Sequence, residues 1–491
     1  MDRVAPIYSS QIMPPEQAAQ IIRSGMTVAM SGFTIVGYPK EIPTALSKSG
    51  HARDLTLCIG ASVGDEIDGA LSRAGLIKRR FAYQSNKDMR AAINSGEVGY
   101  ADMHVSQFPR LINEHAAPKI DVAVIECSAI TADGIVPTLS AGCTDAIVRA
   151  ADKVIVEVNT TLPKELYGMH DIFDIGVPPE AKVINILKPS DRIGTPFIPC
   201  LPEKIAAVVI TDKEDQPAKF KPVTPSTARV GENVVSFLKG EIAAGRLPET
   251  LGPIQSGVGS VGNAVLQALT ESGFKGLTMY TEVMQDAALK LLHDGVFSFV
   301  SASAVSLEAE TRRHFYECIN DYKDKIVIRP QEISNSPEVI RRLGVVALNT
   351  PIELDIYGNV NSTHTMGSRI MNGIGGSGDF TRNARLNIFA TESTAKAGLI
   401  SCVVPMVSHV DHTEHDVQVV VTEQGVADLR WKTPCERAEL IIEHCAHPDY
   451  RPMLREYLAR AEKTAPGMQT PHDLKTALSW HERFLETGSM K

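Results

Sequence analysis

Val154-Ile155-Val156-Glu157-Val158 is a β-branched run broken by a single acid, and its reading decides the fold class. A strand with one wet face alternates apolar and polar residues, whereas a strand covered on both faces does not. Similar runs recur at Thr27-Val28-Ala29-Met30, Leu55-Thr56-Leu57-Cys58-Ile59-Gly60, Val122-Ala123-Val124-Ile125, Val183-Ile184-Asn185-Ile186 and Ile205-Ala206-Ala207-Val208-Val209-Ile210. Stretches with helical spacing lie between some of them. One is opened by Pro14 and Pro15, carries Ala18, Ile21 and Ile22, and is closed by Gly25; another runs from about Pro39 to Ser47. Repeated strand and helix predict an α/β fold with mainly parallel sheets.

The rhythm resumes further on. Strands are expected at Leu277-Thr278-Met279-Tyr280, Phe297-Ser298-Phe299-Val300, Val345-Val346-Ala347-Leu348, Leu399 to Val404 and Val417 to Val421. Helices are expected at 434–446, 450–463 and 472–487. Between the halves, Thr211 to Pro225 is charged and carries Pro217, Pro222 and Pro225, so it reads as a linker. The domains are therefore expected at 1–220 and 226–491. A chain of 491 residues is too long for one ordinary core.

Composition narrows the function. A net charge of -9 argues against nonspecific nucleic-acid binding. No apolar stretch approaches the roughly 18 residues of a spanning helix, and Met1 to Tyr8 has no signal-peptide apolar region. The eight cysteines are scattered without a Cys-x-x-Cys pair, which suits reduced thiols and a cytoplasmic location. A homodimer without nucleic-acid or membrane partners is expected.

Two glycine-rich turns carry the chemistry. One reads Gln255-Ser256-Gly257-Val258-Gly259-Ser260-Val261-Gly262-Asn263, and the other Met371-Asn372-Gly373-Ile374-Gly375-Gly376-Ser377-Gly378-Asp379-Phe380. Glu282 follows the first by about 20 residues. That turn matches a dinucleotide fingerprint, with Glu282 where a ribose-binding acid would sit. Leu251-Gly252-Pro253 precedes it, however, and such residues make a central strand there unexpected. The other reading is acyl transfer. A carboxylate is ionised near neutral pH and needs no base to act as a nucleophile, and glycines let backbone N–H groups approach a developing oxyanion.

Further blocks occur in order along the chain: Ser31-Gly32-Phe33-Thr34, Tyr280-Thr281-Glu282-Val283, Ser334-Asn335-Ser336-Pro337, Asp355 to Thr363, and Val421-Thr422-Glu423-Gln424-Gly425. With the two glycine turns they resemble the acetyl-CoA hydrolase/transferase family, a branch of the class I CoA-transferases. The likeness covers nearly the whole chain and is densest from about 250 to 450. It implies two CoA-transferase-type α/β domains with the active site between them, and Glu282 as the catalytic glutamate. It also implies backbone oxyanion donors at Val258 and Gly376, and active-site roles for Asn335 and Glu423. Coenzyme A contacts are implied along Gly252, Pro253, Ile254, Gln255, Ser256, Gly257, Val258 and Gly259, and at Asn372, Gly375, Gly376 and Lys396. Ser62 and Ser85 are weaker candidates for binding a carboxylate. One departure is Trp431 after Ala427-Asp428-Leu429-Arg430, where relatives usually carry glycine; a changed loop is expected.

The expected reaction moves CoA between a short-chain acyl-CoA and a small carboxylate, with coenzyme A as substrate and no other cofactor. The alternatives are an acyl-CoA hydrolase, a nicotinamide-dependent oxidoreductase and a non-catalytic CoA-binding regulator. Ser408 to Asp416 is rich in metal-ligand residue types, with His409, His412 and His415 spaced by three. Because Val404-Pro405 precedes it and a strand follows, a polar loop with no required metal is expected.

Overall fold

The computed structural model describes residues 3–219 and 221–491. The chain forms two compact units. The first comprises Met1–Lys219, Met279–Leu289 and Ser298–Leu343, and the second comprises Phe220–Thr278, Lys290–Phe297 and Gly344–Lys491. This differs from the division at 1–220 and 226–491, because two stretches beyond the linker, one holding Glu282, belong with the first unit. Backbone hydrogen bonds tie them there: Val305 N–H donates to Leu139 O at 2.9 Å, and Ala141 N–H donates to Ser303 O at 3.0 Å. Composition marks where a chain is polar, not where it later returns.

The first unit holds a seven-stranded sheet. Its spatial order is Gly99–Ala101, Ile77–Phe81, Leu55–Ser62, Thr27–Thr34, Val122–Cys127, Lys153–Asn159 and Ile205–Thr211. Every neighbouring pair is parallel. Val28, Met30, Leu55, Leu57, Ile59, Val122, Val124 and Ile155 are buried in its core with Ile42 and Leu46 of the helix Glu41–Ser49, each worth about 1.5–3 kcal/mol. Strand order reverses between Thr27–Thr34 and Val122–Cys127, which is where α/β sheets open a crevice at the carboxyl ends of their strands.

Thr27–Thr34 runs on through Ser31-Gly32-Phe33-Thr34, past the strand expected at Thr27–Met30. The chain stays paired because its register against Leu55–Ser62 shifts between Met30 and Phe33. Gly32 permits this with φ +108°; a Cβ there would lie 2.8 Å from Ser62 Oγ and 2.9 Å from Tyr38 Cβ. Val183–Ile186 corrects another expectation, because no strand forms there. Val183 is 75% exposed, and the carbonyls of Ile184 and Ile186 accept from Arg342 Nη1 at 2.7 and 3.1 Å. An arginine takes the place of a neighbouring strand.

In the second unit Ile254–Ser256, Val346–Asn349, Leu386–Ala390 and Val419–Thr422 follow one another in parallel, and Gly425–Asp428 pairs antiparallel to the last. The first of these corrects the expectation that no strand precedes the glycine turn. Pro253 stands just ahead of the pairing and contributes only its carbonyl, which accepts from Val346 N–H at 2.9 Å, so its missing donor costs nothing. The helix Ser260–Thr270 follows, and the tail forms the helices Pro434–His444, Arg451–Thr464 and Ser479–Thr487. Among the described residues no helix is long and apolar enough to cross a membrane, and all the cysteines are unpaired.

Candidate active site

Glu282 lies in the short break between the strands Leu277–Tyr280 and Val283–Met284. Two amides hold its backbone: Ser303 and Ala304 donate to Glu282 O at 2.8 and 3.0 Å. The Glu282 side chain is half-buried, and Asn335 Nδ2 donates to its Oε1 at 3.3 Å. Asn335 is fully buried after the helical turn Gln331–Ser334, and its own N–H donates to Gln331 O at 3.0 Å. Ser334 Oγ donates to Asn335 Oδ1 at 2.9 Å. That bond assigns the amide's direction, because the oxygen is occupied and the NH2 group faces the glutamate. Ser334 was not named as a site residue from sequence, although it stands beside Asn335 in the Ser334-Asn335-Ser336-Pro337 block.

Val283 packs with Phe33, Ala61, Val105 and Ala304, and Tyr83 lies against the same cluster. Burial first, then the charges of Asp102 and Glu282, pushes the Tyr83 phenol up in pKa against a lowering hydrogen bond from Ser85. Ser62 is buried at its strand end, with its hydroxyl donating to Thr34 O at 3.0 Å. The Ser31–Tyr38 segment is anchored by a buried ionic cluster. Lys40 Nζ lies 2.7 Å from Glu126 Oε1 and 2.8 Å from Asp215 Oδ1, and the Gly37 amide donates to both Asp215 oxygens.

A buried imidazole braces the Thr138–Leu139 segment, whose Leu139 carbonyl accepts from Val305 N–H at 2.9 Å. His170 Nε2 lies 2.7 Å from Thr138 O; a carbonyl only accepts, so Nε2 carries the proton. Its Nδ1 is buried without a hydrogen-bond partner. Desolvation, opposed by the Thr138 bond and reinforced by Arg192, holds the ring's pKa down to about 4. A histidine depressed in the folded state contributes stability at neutral pH that is lost as pH falls from about 6.5 to about 4. Against His170→Gln, which keeps an N–H donor but cannot titrate, the native chain should lose about 3 kcal/mol across that window. Chemical unfolding at several pH values measures this, and a gap independent of pH would contradict the assignment.

In the second unit the first glycine turn is fastened to its sheet. Gly257 N–H donates to Leu348 O at 3.0 Å, and Leu348 N–H donates to Gln255 Oε1 at 3.1 Å. Gly252 has φ +99°, and a Cβ there would lie 2.6 Å from Gly344 O. Val258 stands 56% exposed at the apex. In the second turn Gly375 has φ +63° and needs glycine, whereas Gly376 has φ -96°, which any residue adopts. Asn372 Nδ2 donates to Ser362 O at 3.0 Å and to Gly373 O at 2.9 Å, so this side chain also shapes the loop. Glu423 accepts from Ser393 N–H at 2.8 Å, from Ser393 Oγ and from Gln424 Nε2 at 2.9 Å. Lys396 is exposed on a tight hairpin at φ +48°, with Nζ 4.8 Å from the centre of the Phe484 ring.

The histidine-rich segment forms a loop. Among the described residues no group of three or more His, Cys, Asp or Glu side chains is arranged to hold a metal ion. Trp431 is fully exposed with φ +61°, the left-handed region that favours glycine.

One α/β unit holds a half-buried glutamate beside a fixed asparagine amide, and the other carries two glycine turns, residue types suited to acyl transfer. The chain belongs to the acetyl-CoA hydrolase/transferase family: residues 2–210 match the model of its N-terminal domain and residues 312–458 that of its C-terminal domain. Its enzyme class is that of the CoA-transferases. It is 53% identical to a succinyl-CoA:acetate CoA-transferase of Clostridium kluyveri, over 98% of this chain and 90% of that protein. It is 43% identical to a propanoyl-CoA:succinate CoA transferase of Escherichia coli, over 97% and 98% of the two chains. The solved structure of a 4-hydroxybutyrate CoA-transferase from Porphyromonas gingivalis shares the fold, with a TM-score of 0.64 and 21% identity over 92% of this chain and 98% of that one. The family assignment replaces the dinucleotide reading of the first glycine turn.

Proposed function

We propose that the enzyme moves CoA between a short-chain acyl-CoA (succinyl-CoA, acetyl-CoA or propionyl-CoA) and a small carboxylate (acetate, succinate or propionate) through a glutamyl-CoA thioester on Glu282. The observation that carries this reading is the Asn335 amide donating to Glu282 Oε1 at 3.3 Å in a chain of this family. The Glu282 carboxylate attacks the thioester carbonyl, giving an acyl-glutamyl anhydride and CoA thiolate. The thiolate then adds to the glutamyl carbonyl and expels the free carboxylate. A second carboxylate enters and the steps reverse. Each addition creates an oxyanion. Asn335 Nδ2 is suited to the one forming on the glutamyl carbon, and the amides of Val258 and Gly376 are assigned to the one on the acyl carbon, each donor contributing about 3 kcal/mol.

Gly252 to Gly259, Asn372, Gly375 and Gly376 are assigned to coenzyme A, and Lys396 to its anionic groups. Ser62 and Ser85 are assigned to the acceptor carboxylate, and Glu423 to the active site through its bonds to Ser393. No cofactor besides the CoA substrate enters this scheme. The enzyme is taken to be a cytoplasmic homodimer.

Gly376→Val tests the second turn. Its φ of -96° accommodates valine, so the substitution obstructs the approach to the amide without straining the backbone. Turnover should fall by about 10²-fold with the melting temperature little changed; unaltered turnover would remove Gly376 from the donor set.

Hydrolysis is the second reading, because the family name includes it. The two separate when acetate is varied at fixed succinyl-CoA. A transferase should give parallel double-reciprocal plots and release little free thiol without acceptor. Free CoA thiol released at a rate independent of acetate would establish a hydrolase instead.

A further inference from the structure

The segment Ser408 to Asp416 has no part in the reaction as written, yet it touches both ends of the second glycine turn. At the leading end, the Asp411 carboxylate accepts from Ser362 N–H at 2.6 Å and from the Thr363 hydroxyl at 2.8 and 3.0 Å. The carbonyls of these two residues carry the start of the turn: Thr363 O accepts from Met371 N–H at 2.7 Å, and Ser362 O accepts from Asn372 Nδ2 at 3.0 Å. At the trailing end, His412 Nε2 lies 3.0 Å from Ser377 Oγ, and Ser377 Oγ donates to Ile374 O at 3.2 Å. With its single proton directed to Ile374, the serine hydroxyl accepts from His412 Nε2–H. Gly375 and Gly376 lie between these two fastenings.

The clasp is itself rigid. His412 is buried, its ring centre lies 5.1 Å from that of Phe389, and its backbone pairs with Val360 through bonds of 2.8 and 3.0 Å. Thr363 is buried too. Beside it the His364 and His409 rings lie tilted by 34° with centroids 3.9 Å apart, and His409 Nε2 lies 3.4 Å from Asp411 Oδ1. Polar groups withdrawn from water hold their geometry because breaking one leaves a desolvated group unpaired.

We infer that Asp411 and His412 are positioning residues for acyl transfer, holding the Met371–Ser377 loop so that the Gly376 amide stands at the forming oxyanion. This rests on the proposed donor role of Gly376. Neither residue touches substrate in this scheme; each acts through the loop. A donor group displaced by about 1 Å costs about a hundredfold in rate.

The test uses the full-length enzyme with succinyl-CoA and acetate, and compares Asp411→Asn, His412→Leu, His412→Gln, Ser377→Ala and Gly376→Val. Asp411→Asn, His412→Leu and Ser377→Ala should each lower kcat at least tenfold, while the Kd for CoA measured by calorimetry changes less than threefold. His412→Gln, which can offer an N–H near the place of Nε2, should recover most of the His412→Leu loss. Ser377→Ala removes one exchangeable hydroxyl and keeps the test valid should either clasp variant fail to fold. Full turnover in Ser377→Ala and in whichever clasp variants fold, beside a slow Gly376→Val, would overturn the inference and leave the donor role standing. Full turnover in Gly376→Val would overturn the donor role and the inference with it. Equal losses in His412→Gln and His412→Leu would likewise refute the hydrogen-bonding role of His412.

Discussion

Glu282→Ala should abolish CoA transfer by several orders of magnitude while leaving CoA binding intact, the behaviour of a removed nucleophile. The variant should also fold, because Glu282 is only half-buried and its backbone is held by the amides of Ser303 and Ala304, neither of which depends on the side chain. Glu282→Gln should be as inactive as the alanine variant. It preserves the shape and an oxygen facing Asn335, but a neutral amide does not attack a thioester. The native enzyme incubated with acyl-CoA and no acceptor should accumulate an adduct on the peptide containing Glu282, its mass increased by that of CoA less one water. Borohydride should reduce that thioester and inactivate the enzyme. Residual transfer in Glu282→Ala near the native rate, or an adduct on another peptide, would exclude Glu282 as the nucleophile.

Asn335→Ala should lower kcat by about 10²–10³-fold, with a smaller change in the KM for acyl-CoA. In the proposed scheme the Glu282 oxygen that the amide meets becomes the oxyanion when CoA thiolate adds to the glutamyl carbon, so the amide's contribution should grow along the reaction coordinate. Truncation also removes the shorter of the two bonds of the buried Ser334 hydroxyl, leaving it only Gln331 O at 3.4 Å, at a stability cost of about 0.5–1.5 kcal/mol. Unfolding measurements therefore accompany the kinetics. Asn335→Asp should not rescue activity, because a second carboxylate beside Glu282 opposes both its charge and the oxyanion. A native kcat in Asn335→Ala would show that the contact is structural only.

Several features of the fold were legible because they depend on local pattern. The run Val154 to Val158 is apolar on both faces, and it lies as an inner strand of a parallel sheet. The first two tail helices formed close to the expected ranges, with Thr433 and Glu436 making a capping box at Pro434–His444, whereas the third, expected from 472, begins only at Ser479. Other features were misread for physical reasons. Val183–Ile186 has the composition of a strand but meets an arginine side chain instead of a neighbouring strand. Pro253 suggested that no strand could follow, yet a proline at a strand's start uses only its carbonyl. At the second glycine turn the conformational demand falls on Gly375 and not on Gly376, a distinction of φ that spacing alone does not carry.

What the sequence by itself determined is the α/β class and the family, and it singled out Glu282 as the proposed nucleophile. Each rests on residue type and order: β-branched runs, glycine turns, and a glutamate in a recognisable block. The tertiary structure alone decided which residues meet that glutamate. Glu282 and Asn335 are 53 positions apart, and the bond between them exists because the stretch beyond the linker folds back into the first unit. In the same way the Asp411 carboxylate reaches Thr363 across 48 positions. Such pairings are set by chain return and by burial of polar groups that must find partners, and neither leaves a periodic mark on the sequence.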